Sequence, residues 1–281
     1  MKHFKLMMLG LALSAGFTTQ IQAQEAQSFV HQQSNTEDYV WPTDPQVLTK
    51  LKHWQDQKFG VLMHWGLYSV PGIVESWSIC SEDWIVRERK PTYEEDKAWY
   101  WSQKDSLNPV NFDPSKWADV MKKAGMKYMI FTTKHHDGFC MFDTKYTDFS
   151  IAHGPFGKDP RHNIAKEVFN AYRNKGFMIG CYFSKPDWHS KWFWNPYYAT
   201  PNRRINYKKQ QHPDWWQNYR KFTQNQLNEL TTDYGNIDIL WLDGGWITGD
   251  EIGLDTILVD ARKRNPGMIS VDRTIRGKNE N

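Results

Sequence analysis

The sequence predicts an α/β protein built as a (β/α)8-type, TIM-like barrel, incomplete in this chain, with about five strands visible. Three observations carry this. Apolar strand-like runs alternate with amphipathic helical stretches from residue 59 onward, the pattern of parallel strands joined by right-handed crossovers. No glycine-rich phosphate loop opens any of the helices, as a doubly wound nucleotide-binding sheet would require. Residues with catalytic chemistry, His64, His135, His136, Asp187, Asp243 and Arg273, fall just beyond strand C-termini, the active face of such a barrel.

A helix is expected over Gln46–Gln57, then a buried strand over Phe59–Gly66 with His64 near its end. Residues 67–112 carry aromatics and charges without a clean period and read as an insertion with broken helices. Asp113-Pro114 is an N-cap followed by proline at the first helical position. Trp117, Val120, Met121 and Ala124 then keep helical spacing, and Gly125 stops the helix. Met126–Thr133 is the next strand. A helix over about His162–Lys175 turns Ile164, Ala165, Val168, Phe169 and Tyr172 inward, and Phe177–Ser184 is a strand. Pro213–Tyr234 is a long helix leading into the strand Ile237–Asp243. Leu254, Ile257, Leu258 and Ala261 mark a further helix, and Met268–Val271 a fifth strand.

Of 281 residues, 40% are hydrophobic and 24% charged, an ordinary globular balance. Residues 1–23 have the form of a signal peptide: Lys2 and Lys5, the apolar run Leu6–Phe17, and a small-residue cleavage site at Ile21-Gln22-Ala23. An exported protein is expected, periplasmic or secreted, with no membrane anchor once that peptide is removed, because the run is too short to span. Removal takes two lysines and no acids, leaving 33 basic against 32 acidic residues, a net +1. That balance gives no footprint for a nucleic-acid partner, and Arg203, Arg204, Lys208 and Lys209 read as a solvated basic loop. Residues 24–45, rich in Gln, Ser, Thr and Asn, read as a flexible lead-in, and 46–281 as the N-terminal part of the barrel domain. Cys80, Cys140 and Cys181 are odd in number and widely spaced, so they make no disulfide framework. Cys181 reads as buried and inert, while a single bridge stays open.

The strand Ile237-Asp238-Ile239-Leu240-Trp241-Leu242-Asp243, closed by Gly244-Gly245, is apolar enough for burial on both faces. Alternation puts Ile237, Ile239, Trp241 and Asp243 on one face, so a carboxylate ends a greasy face. Burying such an acid is costly unless it is paired or used. A structural cap for a neighbouring loop and a chemical role both fit the strand alone. Three histidines raise a metal site, but His135 and His136 are adjacent and should diverge on an extended backbone. No His-x-His, His-Glu-x-x-His or cysteine pair accompanies them, so no metal and no cofactor is expected. No Gly-x-Ser-x-Gly elbow supports a serine hydrolase. What remains suits a polyol: imidazoles and a guanidinium for hydroxyls, indoles for C–H faces, and a carboxylate near a reacting carbon. Packing accounts for most of the fifteen tryptophans.

Phe59-Gly60-Val61-Leu62-Met63-His64-Trp65-Gly66, Thr133-Lys134-His135-His136-Asp137-Gly138-Phe139 and Trp241-Leu242-Asp243 together resemble the family 29 glycoside hydrolases, the α-L-fucosidases. Asp143-Thr144-Lys145-Tyr146-Thr147-Asp148-Phe149 lengthens the match, and the similarity extends over about residues 46–281. The resemblance implies a retaining, exo-acting α-L-fucosidase whose partner is a fucosylated oligosaccharide or glycoconjugate. It implies that Asp243 is the nucleophile, that His64, His135 and His136 bind fucose hydroxyls, and that Trp241 flanks the sugar. Arg273, in Asp272-Arg273-Thr274, matches a site arginine. Glu75 and Trp77 match a Glu-Trp pair that is adjacent in the family, whereas Ser76 separates them here. Tyr182 and Trp188 sit at the matching strand end, with the choice between them open.

Retaining hydrolysis needs a second carboxyl group. In the family that glutamate lies past the Asp272-Arg273-Thr274 segment, commonly beside a tryptophan. Glu280 has no such neighbour and is not assigned, and Glu251 reads as a helix-start residue. The expectation is therefore the N-terminal portion of a longer enzyme, its acid/base residue beyond Asn281. Two other functions fit the same residues: a sugar-binding module without catalysis, and a glycosidase for a galactose-configured sugar. The sequence assigns no oligomeric state.

Overall fold

The computed structural model describes residues 41–82, 85 and 92–273. The expected signal peptide, the lead-in as far as residue 40, and Glu280 lie outside the described residues. Helix α1 (Pro45–Gln57) precedes strand β1 (Gly60–Met63). Then follow α2 (Tyr93–Ser102), α3 (Pro114–Lys123), β2 (Tyr128–Lys134), α4 (Ile164–Asn174), β3 (Met178–Ser184) and α5 (Pro213–Asp233). Strand β4 (Ile239–Asp243), the short α6 (Gly249–Ile252), α7 (Leu254–Arg264) and β5 (Ile269–Asp272) complete the order. The strands form one parallel sheet whose spatial order is the chain order, β1-β2-β3-β4-β5. A doubly wound sheet reverses its order at a switch point. This sheet never reverses, and helices make its crossovers, which is the progression of a barrel wall. Among the described residues β1 pairs with β2 alone and β5 with β4 alone, so the sheet is open.

Alternation along the strands separates two apolar clusters. Met129, Phe131, Ile179, Cys181, Phe183, Leu240 and Leu242 face outward and pack with Val168, Phe169 and Tyr172 of α4, Leu227 and Leu230 of α5, and Ala261 of α7. Ile130, Tyr182, Ile239 and Ile269 face inward and meet Val47, Leu51 and Trp54 of α1. Asp44 caps that helix by accepting from the Gln46 N–H at 2.8 Å. Lys50 then reaches Asp238, just before β4, at 2.5 Å, so α1 seals the inner face toward the strand N-termini. The opposite end of that face is left to Thr132, Tyr182 and Asp243, with His64 and Arg273 just past their strands.

Two expectations are corrected. The first strand is only Gly60–Met63, with Phe59 48% and Leu62 39% exposed, because β1 has a single neighbouring strand among the described residues to cover it. In α3 the buried stripe runs through Pro114 and Ala118, with Trp117 and Met121 half-buried, while Val120 is 62% exposed. A face centred between positions 117 and 121 leaves position 120 on its flank. The stripe read in α4 is buried as expected. All three cysteines are buried, and no helix among the described residues is long and apolar enough to cross a membrane.

Past β2 the chain turns sharply, and outward-facing polar groups hold the turn. Lys134 is fully buried and donates to Asp187 Oδ2 at 3.1 Å and Gln226 Oε1 at 3.0 Å. Asp187 also accepts from the backbone N–H groups of His189 and Ser190; it braces the turn from outside the sheet. Asp137 accepts from Tyr100 Oη at 2.6 Å and from the Phe139 N–H at 3.2 Å. Burial pushes its carboxyl up to about 7, so between about pH 4 and 7 the native state holds a proton that the unfolded chain releases. Stability therefore falls as pH rises through that window, by up to about 1.4 kcal/mol per pH unit. Thermal melts from pH 5 to 8 should show that decline in the wild type and a flatter profile in Asp137→Asn; equal slopes would refute it.

Candidate active site

Asp243 is the last residue of β4, and its carboxylate is held from both sides. Tyr182 of β3 donates its O–H to Oδ2 at 2.7 Å, and Arg273 places NH1 3.3 Å from Oδ1. Burial, then the Asp243 charge, pushes the Tyr182 phenol well above its ordinary value, so it remains a proton donor. Of the two residues left open at this strand end, Tyr182 reaches the carboxylate. Trp188 is fully buried and donates its indole N–H to Arg203 O at 3.0 Å.

The three histidines converge beside it. His135 and His136 do not diverge: their ring centroids are 4.2 Å apart. Strand β2 has already ended at Lys134, and a turn closed by the Gly138 N–H on His135 O replaces the extended backbone. Each Nδ1 lies against a hydroxyl, His64 against Thr132 at 2.6 Å, His135 against Ser76 at 2.5 Å and His136 against Ser184 at 2.7 Å. Burial first, then the neighbouring positive groups, holds His135 and His136 well below their ordinary value. Burial also lowers His64, against the pull of Glu75 and Asp243. Neutral rings carry one N–H and one lone pair each. Ser184 donates its single proton to Pro186 O at 2.5 Å, so it accepts from His136 Nδ1–H and leaves Nε2 as an acceptor.

Glu75 belongs to this cluster although a serine separates it from Trp77. Its Oε2 is 3.5 Å from His135 Nε2 and accepts from Trp77 Nε1 at 3.1 Å, and its Oε1 is 4.0 Å from His64 Nε2. It adopts φ 49°, a left-handed conformation that costs a non-glycine residue about 1–3 kcal/mol. Here it turns the carboxylate toward the histidines.

Indoles wall the other side. Trp77, Trp188 and Trp246 all pack on His136, with centroids 5.2, 5.2 and 5.0 Å away. Arg203, expected in a solvated loop, instead pairs with Glu82 at 2.7 Å and lies 5.1 and 5.3 Å from the Trp77 and Trp246 centroids. Lys209, from the same basic run, pairs with Glu251, the capping-box residue of α6. The N–H groups of Trp241 and Trp246 and the O–H of Tyr68, whose ring packs on His135, are buried without a hydrogen-bond partner among the described residues. Such donors cost about 1–3 kcal/mol unless something accepts from them. Among the described residues, no group of three or more His, Cys, Asp or Glu is arranged to hold a metal ion.

Sequence reasoning passed over Ser76, Thr132, Ser184, Tyr68 and Trp246. Only Trp246 carried a signal, following Gly244-Gly245 directly after the Asp243 strand.

Fold and site together define a class: a parallel α/β wall with a polyol-suited cluster of side chains at its strand C-termini. The sequence model of the family described as Alpha-L-fucosidase matches residues 26–281. Plasma alpha-L-fucosidase of Homo sapiens is 29% identical over 211 residues, covering 69% of this chain and 40% of that protein. Tissue alpha-L-fucosidase of Bos taurus is 30% identical, with coverages of 70% and 40%. Among solved structures, alpha-L-fucosidase isoenzyme 1 from Paenibacillus thiaminolyticus superposes with a TM-score of 0.63 at 32% identity, over 80% of this chain and 50% of that one. A GH29 alpha-L-fucosidase from Bacteroides thetaiotaomicron gives 0.61 at 30% identity, over 84% and 49%. The chain belongs to the alpha-L-fucosidase family. Its sheet is that of a TIM-like barrel, with five strands and not closed among the described residues, and the chain spans half or less of the length of these relatives.

The Ser184 bond makes the His136 tautomer measurable. Long-range ¹H–¹⁵N spectra should show the Nδ1–H form in the wild type. Ser184→Ala removes about 1 kcal/mol of preference and should shift the ring toward Nε2–H; an unchanged tautomer would show that Ser184 does not orient it.

Proposed function

We propose that the protein is a retaining, exo-acting α-L-fucosidase that removes terminal α-L-fucosyl residues from oligosaccharides or glycoconjugates, with Asp243 as nucleophile. The observation that carries this is the Asp243 carboxylate, fixed by Tyr182 and Arg273 and bordered by three neutral histidines and the indoles. An Asp243 oxygen attacks the anomeric carbon and the bond from that carbon to the aglycone oxygen breaks. The departing oxygen takes a proton from a second carboxyl group, which in retaining enzymes stands about 5–5.5 Å from the nucleophile. Water, giving a proton back to that second carboxylate, then attacks the same carbon and breaks its bond to Asp243, which releases fucose and restores both carboxyl groups. His64, His135, His136 and Glu75 supply hydrogen-bonding groups for sugar hydroxyls, Trp77 holds Glu75 through its indole N–H, and Trp241 supplies an apolar face. Neutral imidazoles, His136 among them at a fixed tautomer, favour one hydroxyl pattern, because a sugar of another configuration leaves a buried group unpaired. A relative supports the covalent route: the GH29 enzyme of Bacteroides thetaiotaomicron, 30% identical with a TM-score of 0.59, has been captured as a covalent intermediate with 2-fluoro-fucosyl fluoride. Export to the periplasm or beyond is part of the same proposal, resting on residues 1–23.

The test is hydrolysis of an aryl α-L-fucoside by the protein and its Asp243→Ala variant. Turnover should fall about 10³-fold or more in the variant while L-fucose binding persists. Incubation of the wild type with 2-fluoro-fucosyl fluoride should attach one fucosyl group to the peptide carrying Asp243. Undiminished turnover in the variant, or labelling elsewhere, would sink the mechanism; preference for an aryl β-D-galactoside would change the sugar.

A further inference from the structure

Lys185 was singled out by nothing in the sequence, yet its backbone and side chain touch three neighbours of the site. It lies one residue past β3, and its side chain is 0% exposed. Its N–H donates to Asp243 O at 2.9 Å, its carbonyl accepts from Tyr219 Oη of α5, and its ammonium pairs with Asp272 Oδ1. Asp272 ends β5, and Arg273 follows it. Alternation sends neighbouring side chains to opposite faces, so Lys185 grips β5 from one side while Arg273 faces Asp243 on the other. Asp272 Oδ2 also lies 2.8 Å from where a Cβ on Gly249 would stand, which packs the start of α6 against the same carboxylate.

Arg273 needs such a grip. Its side chain is 53% exposed, and its contact with Asp243 is 3.3 Å long. A solvated ion pair of that kind fixes a long side chain poorly. The backbone offers one bond, the Arg273 N–H on Leu242 O at 3.1 Å, at the end of a strand paired on one side alone among the described residues. The buried pair one residue earlier is shielded from solvent at its lysine end and spans 87 positions of sequence, so it ties the exits of β3 and β5 together across β4. We propose that Lys185 is a positioning residue, its ion pair with Asp272 setting the end of β5 so that the Arg273 guanidinium stands against Asp243. The kinetic side of this rests on the fucosidase reading; the geometric side does not.

The test compares Lys185→Met, Lys185→Met/Asp272→Leu, Arg273→Met and Lys185→Met/Arg273→Met in the whole protein. The second variant removes both charges, so it buries no uncompensated one and should fold even where Lys185→Met alone does not. In crystal structures of the first two, the Arg273 guanidinium should move out of ion-pair range of Asp243 Oδ1, beyond about 4 Å. On an aryl α-L-fucoside, kcat should fall about tenfold or more with KM changed less than about threefold. Adding Lys185→Met to Arg273→Met should bring no further loss, since both act through one group. Arg273 keeping its wild-type position in a folded variant overturns the proposal, as does full kcat with Arg273 displaced or multiplicative losses in the double variant. If the wild type hydrolyses no fucoside, the fucosidase reading fails and the crystallographic comparison still decides the positioning.

Discussion

The site depends on the exit of β3, where five consecutive residues each tie down a different neighbour. Ser184 sets the His136 tautomer, Lys185 bonds to the Asp243 backbone and to Asp272, and Pro186 presses against Gly244. Asp187 pairs with Lys134, and Trp188 backs the indole wall. Pro186 also explains Gly244: a Cβ there would lie 2.1 Å from Pro186 Cδ, and the residue sits at φ 84°, where an L side chain would be strained as well. One segment thus connects β2, β4 and β5 at the level of the carboxylate.

The inner face of the sheet grades from dry to polar along its length. Toward the strand N-termini α1 fills it with Val47, Leu51 and Trp54; toward the C-termini Tyr182, Thr132 and the histidines take over. Burial is what lowers the histidines, and the same burial makes every unpaired donor expensive. That explains why each ring is backed by a hydroxyl. Glu75 fits this economy: its strained backbone persists because Trp77, His64 and His135 over-determine the place of its carboxylate.

Legibility in the sequence followed the range of the interactions. The α4 stripe, the proline caps and the parallel alternation are local, and they were readable. That His64, His135, His136 and Asp243 share one rim was legible because each falls at or just past the end of a parallel strand. The hydroxyls that orient the rings were not, since serine and threonine occur everywhere and their partners lie 48 to 68 positions away. The Lys185–Asp272 pair was hidden for the same reason. Arg203 was misjudged because composition sees a basic run, whereas packing sees one guanidinium matched to Glu82 across 121 positions.

Lys134–Phe139 shows why a contiguous signature cannot be divided into a working part and a supporting part. Lys134 and Asp137 point into the scaffold, where Asp187, Gln226 and Tyr100 receive them. His135 and His136 point into the site. Gly138 adopts φ 83°, and a Cβ on it would lie 2.2 Å from Asp187 Oδ1, so the turn closes only with glycine against the residue that holds Lys134. The two rings meet because the turn is tight, and the turn is tight because the buried pair and the glycine fix it. A change at Lys134 would therefore reach the histidines through the backbone, without Lys134 touching whatever they bind.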